Sequence, residues 1–158
     1  MTKKHLNLLI DTNVWLDHLL GRKGCKDALG VLQKAAEQED AVATTPSIMK
    51  DAFYLVCAAL KRRATDSGES SEANAKAINE IGWACVATIQ SLSVMVPQGF
   101  GEHLEAVLLK DSNKDYEDNL LLATAQSAKI DFIITNDKDL LKNKIVPAIS
   151  PREYLAGA

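Results

Sequence analysis

Four aspartates stand where solubility does not require them. Asp11 ends the apolar run at 6–10, and Asp137 comes two residues after a second such run at 132–135. Asp51 falls inside a helical pattern, three residues after Ile48 and four before Leu55, and Asp118 heads a stripe of Leu121, Leu122 and Ala125. A carboxylate on an apolar helix face or at the end of a buried strand is costly unless something compensates it. Carboxylates that meet also repel one another until a cation neutralises them. No Cys or His stands at ligand spacing to these acids, and an all-oxygen donor set selects a hard ion, Mg²⁺ or Mn²⁺, over zinc. An ion that keeps part of its water shell can polarise a phosphate and activate water for in-line attack.

Each acid also has a plainer role available. Asp, Thr and Asn all accept hydrogen bonds from free helix N–H groups, which covers the stretches "DTN" at 11–13 and "TND" at 135–137. Asp51 has Lys50 and Arg62 as candidate ion-pair partners. Asp115, three residues before Asp118, is placed to cap the helix that follows, and both acids favour its dipole. Capping accounts well for Asp115 and less well for Asp118, one turn further in.

The elements that position these residues can be read from the apolar pattern. Strand-length runs occur at 6–10, 41–44, 92–96, 132–135 and, more weakly, 145–149, with longer helical patterns between them. That alternation is the signature of an α/β fold with a parallel sheet covered on both faces. In such a sheet all carboxyl ends lie on one edge, so Asp11 and Asp137 meet there if their strands are neighbours. Helices enter from the same edge and bring Asp51 and Asp118 to it. The Ser/Glu-rich stretch at 64–75 reads as a mobile loop or a helical hairpin tip.

Bulk properties bound the rest. With 158 residues, 47% of them hydrophobic, one domain over 1–158 is expected. No apolar run approaches the roughly 20 residues that span a bilayer, and the start "MTKKHLNLLID" is too short an apolar stretch for a signal peptide, so a cytoplasmic protein is expected. Cys25, Cys57 and Cys85 are scattered and read as reduced core residues. None of His5, His18 and His103 accompanies a candidate Cys or Ser nucleophile in motif context. The net charge of -3 does not announce a polyanion binder, which leaves local patches such as Lys61, Arg62 and Arg63; the plainer reading of these is cations at a helix C-terminus.

The segments "LLIDTNVWLD", "DYEDNLLLATAQ" and "DFIITNDKDL", in that order and spacing, resemble the hallmark segments of PIN domains. The resemblance spans essentially the whole chain and implies a three-layer α/β/α fold with a central parallel sheet of about five strands. It assigns Asp11, Asp118 and Asp137 as ligands of Mg²⁺ or Mn²⁺, with Asp115 and Asp139 as accessory acids. Thr12 and Asn136 match the polar positions that hold ligands and waters in place. Asp51 stands where the family usually carries glutamate, so direct and water-mediated contact with the metal both stay open.

The activity implied is hydrolysis of RNA phosphodiesters, leaving 5′-phosphate and 3′-hydroxyl ends. The role implied is that of a VapC-type toxin, with an antitoxin partner and a homodimeric state. Two other readings compete. One is a catalytically weak PIN fold that binds RNA or assembles into a complex. The other is a haloacid-dehalogenase-like phosphatase, which would need an acid two residues after Asp11, where Asn13 stands. Finally, Trp15, Leu19 and Leu20 lie at helical spacing, either as core packing or as the wall of a groove for a partner helix.

Overall fold

The computed structural model describes residues 5–157, so the first four residues, part of the stretch read for a signal peptide, lie outside the described residues. The described residues contain five short strands: β1 (Asn7–Ile10), β2 (Ala41–Thr44), β3 (Val94–Met95), β4 (Phe132–Ile134) and β5 (Ala148–Ile149). They form one sheet in the order β3-β2-β1-β4-β5, with every pairing parallel. β1 is central, and its consecutive residues Leu8, Leu9 and Ile10 are all buried. An unbroken apolar run, rather than an alternating one, is what a strand covered on both faces requires.

Among the described residues, seven α-helices complete a three-layer α/β/α arrangement. They are α1 (Thr12–Leu19), α2 (Cys25–Gln38), α3 (Pro46–Asp66), α4 (Glu72–Leu92), α5 (Phe100–Leu108), α6 (Tyr116–Ser127) and α7 (Pro151–Ala156). The 64–75 stretch is the tip of the α3–α4 hairpin. These two helices approach closely at Gly82, where a β-carbon would fall 2.6 Å from Cys57 Sγ and 3.0 Å from the Phe53 ring. Among the described residues, no helix is long and apolar enough to cross a membrane.

Of the two readings open for Trp15, Leu19 and Leu20, the structure favours core packing, and the expectation for one cysteine needs correcting. Trp15 is buried in the core, while Leu19 and Leu20 are half-buried against Leu16, Val56 and Cys85, so these three side chains do not wall an open groove. Cys57 and Cys85 are buried as expected, whereas Cys25 is only partly so.

The helix α7 was not anticipated, although Ser150-Pro151-Arg152-Glu153 carries its start signal. Ser150 and Glu153 form a capping box, with Pro151 at the first helical position. This helix is clasped to the amino edge of the sheet. The Tyr154 hydroxyl donates to Asp40 Oδ2 at 2.7 Å, and Asp40 Oδ1 accepts the Leu6 N–H at 2.9 Å. Lys34 lies over the Tyr154 ring and donates to the Tyr154 carbonyl.

Candidate active site

The carboxyl edge of the sheet is built outward from two neighbouring strands. β1 and β4 are paired with Ile10 opposite Ile134, and the Asp11 N–H donates to the Ile134 carbonyl at 3.0 Å. Asp11 therefore stands beside the segment that carries Asp137. Asp11 caps α1, its Oδ1 accepting the Thr12 N–H at 2.7 Å. Its Oδ2 accepts the Thr135 hydroxyl at 2.7 Å and the Asn13 amide at 2.6 Å. Burial nevertheless pushes the Asp11 carboxyl above the usual range, and the Asp137 charge adds to this. Residue 13 offers Asp11 an amide where the phosphatase reading needs an acid, so the arrangement does not suit that reading.

Asp137 extends from the end of β4 and is exposed. Its Oδ1 accepts the N–H groups of Asp139, at 2.7 Å, and Leu140, at 3.2 Å, and so fixes the 3₁₀ turn at Leu140–Lys142. Thr135 Oγ1 accepts the Asp137 N–H at 2.9 Å. One fully buried hydroxyl thus connects both strand-ending acids.

Asp115 caps α6, accepting the N–H groups of Glu117 at 2.8 Å and Asp118 at 3.2 Å. That cap frees the Asp118 side chain, which is half-buried and receives the Asn113 amide at 3.1 Å. Burial raises the Asp118 carboxyl, and the charges of Asp115, Asp137 and Asp11 raise it further. Asp51 comes from the second turn of α3, a helix started by Thr45 Oγ1 on the Ile48 N–H at 3.1 Å and by Pro46. The Lys50 ammonium lies 3.1 Å from Asp51. The apolar stripe beside Asp51 runs through Ile48 and Ala52, while Leu55 is 46% exposed.

These elements enclose a cleft of about 480 Å³ lined by Asp11, Asp51, Asp115, Glu117, Asp118 and Asp137. A family model for the PIN domain matches residues 7–139. The chain belongs to the PIN domain family. Its fold is similar to that of VapBC2 from Rickettsia felis, solved bound to a DNA fragment from its promoter, with a TM-score of 0.66 and 10% identity over 92% of this chain and 98% of that one. It is also similar to a toxin-antitoxin complex from Klebsiella pneumoniae, with a TM-score of 0.58 and 17% identity over the same shares of the two chains. No curated protein matches the chain.

PIN domains generally use divalent metal ions. The donor set of this PIN domain suits such an ion, because the cleft acids supply only oxygen and Asp11 and Asp118 are held in a partly desolvated, mutually repelling state. Among the described residues, no three carboxylate, imidazole or thiol groups already stand close enough together to chelate one ion; the acids ring the cleft.

Of the eight residues singled out from sequence, Asp11, Thr12, Asp51, Asp115, Asp118 and Asp137 line the cleft. Asp139 and Asn136 do not. Asp139 is exposed and lies 3.8 Å from Lys142. Asn136 acts as a strap, its N–H donating to Asn13 Oδ1 and its amide to Asp17 Oδ2, both at 3.1 Å. Sequence reasoning missed Thr135, Asn13, Asn113 and Glu117 as members of this neighbourhood. Thr135 and Asn13 lay in plain view beside the acids, and Glu117 adjoins Asp118, but nothing local distinguishes Asn113 from an ordinary loop residue.

Proposed function

We propose that this PIN domain is a metal-dependent endoribonuclease working in the cytoplasm as the toxin of a toxin-antitoxin pair. The observation that carries the reading is the delivery of Asp11, Asp118 and Asp137 by three separate elements to one cleft in a PIN domain. These three acids would hold Mg²⁺ or Mn²⁺. When bound, the ion offsets the phosphate charge and makes a water nucleophile accessible near neutral pH. Thr135 and Asn13 fix the Asp11 carboxylate so that it is presented in one orientation. Asp115 keeps the Asp118 side chain out of the helix cap and available to the cleft. Asp51, paired with Lys50, would act on the ion less directly than these three, through water.

The Rickettsia and Klebsiella structures support an antitoxin partner by analogy of fold, and a homodimer is the expected assembly. The Lys50–Asp51 pair is the one observation that favours the competing reading, a PIN fold that binds RNA without cutting it.

Incubating the purified protein with single-stranded RNA, with and without Mn²⁺ or Mg²⁺, separates the two. The nuclease reading expects metal-dependent cleavage that Asp11→Asn, Asp118→Asn and Asp137→Asn abolish and Asp51→Asn reduces less. Tight RNA binding with no cleavage by the wild type under any metal would install the binding module instead.

A further inference from the structure

We infer that Tyr54, Phe53 and Trp83 form a base-stacking track that holds a single strand of RNA leading out of the acidic cleft. The inference rests on the nuclease reading for its substrate, and it adds the surface that would select unpaired RNA.

The chain has only three Phe, two Trp and three Tyr. Three of these eight rings are in continuous contact, and the first of them stands at the cleft. Tyr54 lines the cleft and is 65% exposed. Its ring meets Phe53 edge-on, with centroids 5.4 Å apart, and Phe53 packs against Trp83 at 5.2 Å. Trp83 is 60% exposed. The half-buried Phe53 braces two open rings, and the series runs from the acids across the α3–α4 face.

Charge explains why rings would be used here. The cleft presents six carboxylates on a chain of net charge -3, an unfavourable field for the phosphates that flank the cut site. Stacking on a base does not depend on charge, and every base has a face to offer. Two helical turns beyond Tyr54, the exposed Lys61, Arg62 and Arg63 continue along α3, where they can meet backbone phosphates once the strand has left the acids. A duplex buries its base faces and cannot use the track.

The two tryptophans provide the probe, since Trp15 is buried and Trp83 is open, so acrylamide quenching reads Trp83. The protein carries Asp118→Asn, so that the strand is not cut, and the ligand is a short single-stranded oligoribonucleotide containing 2-aminopurine. The strand should protect Trp83, and the same sequence as a duplex should not. Tyr54→Ala should weaken single-strand affinity about tenfold or more, with loss of 2-aminopurine quenching, while Tyr54→Phe keeps both. Unchanged affinity in Tyr54→Ala, or equal protection by duplex, would overturn the track. Protection of Trp83 by a protein partner but not by RNA would also overturn it and give the face to that partner. A wild type that cuts no RNA yet meets the binding expectations removes the nuclease reading and supports the track.

Discussion

Thr135 donates its hydroxyl proton to Asp11 at 2.7 Å and takes the N–H of Asp137 at 2.9 Å, so a single oxygen sets the relation between the acids ending β1 and β4. Thr135→Val keeps the shape and removes both bonds, together with a third that the hydroxyl accepts from the Asn13 amide at 3.2 Å. It should cost about 1–3 kcal/mol of stability and, by loosening Asp11, about 10–100-fold in Mn²⁺ affinity. Thr135→Ser should retain most of both. Calorimetric Mn²⁺ titration alongside thermal melts checks this, and a Val variant with wild-type Mn²⁺ affinity would show that Asp11 needs no such support.

Asp118 is raised by burial and by three neighbouring acids, so replacing it with Asn relieves repulsion. The metal-free Asp118→Asn protein should melt at or above the wild-type temperature. Mn²⁺ at a hundredfold excess over its dissociation constant should stabilise the wild type by about 2.7 kcal/mol and the variant by clearly less. A strongly destabilised metal-free variant would mean that the side chain acts mainly through Asn113.

The pH dependence follows from the same direction of shift. Asp11 and Asp118 hold protons more tightly when folded than when unfolded, where an aspartate titrates near about 3.9. Between that value and the raised ones the native state binds more protons, so their contribution to stability falls as pH rises through the window and stays lost above it. In chelator, the stability difference between Asp118→Asn and the wild type should therefore grow from about pH 4 upward. Urea unfolding from pH 4 to 7 measures it, and parallel curves for the two proteins would contradict the assignment.

Gly82 is mid-helix, where alanine ordinarily gains about 1 kcal/mol. Here the added methyl would meet Cys57 Sγ at 2.6 Å, so Gly82→Ala should instead destabilise by about 1–3 kcal/mol. Adding Cys57→Ala should recover part of the loss in chemical denaturation. Simple stabilisation by Gly82→Ala would mean that the α3–α4 contact yields freely.

The strands and the four acids were legible because each acid interrupts an apolar pattern, and an interrupted pattern is a local signal. Asp11 and Asp137 were brought together by topology alone, since β1 and β4 are neighbours. What the residues alone do not convey is turn geometry. The resemblance makes Asp139 an accessory acid beside Asp137, yet at this turn only Asp137 lines the cleft, while Asp139 lies beside Lys142. Asn136 supports the ligands only at one remove, since its N–H holds Asn13, which in turn donates to Asp11, and its amide goes to Asp17. Asn113 supports Asp118 from a loop five residues away, and Thr135 supports Asp11 across 124 positions. The α7 helix was overlooked for its brevity, six residues after a two-residue strand, although its capping box is written out in full.

The clasp of Tyr154 on Asp40 gives the molecule a back and a front. α7 ends at the amino edge of the sheet, with Gly157 just beyond, and the acids lie at the opposite edge. A surface tether or fluorophore joined at residue 157 would leave the cleft facing the solution, so immobilised chains should present their acids uniformly to RNA passing in flow. The same coupling made through a cysteine placed at Asn113 would press the cleft against the support.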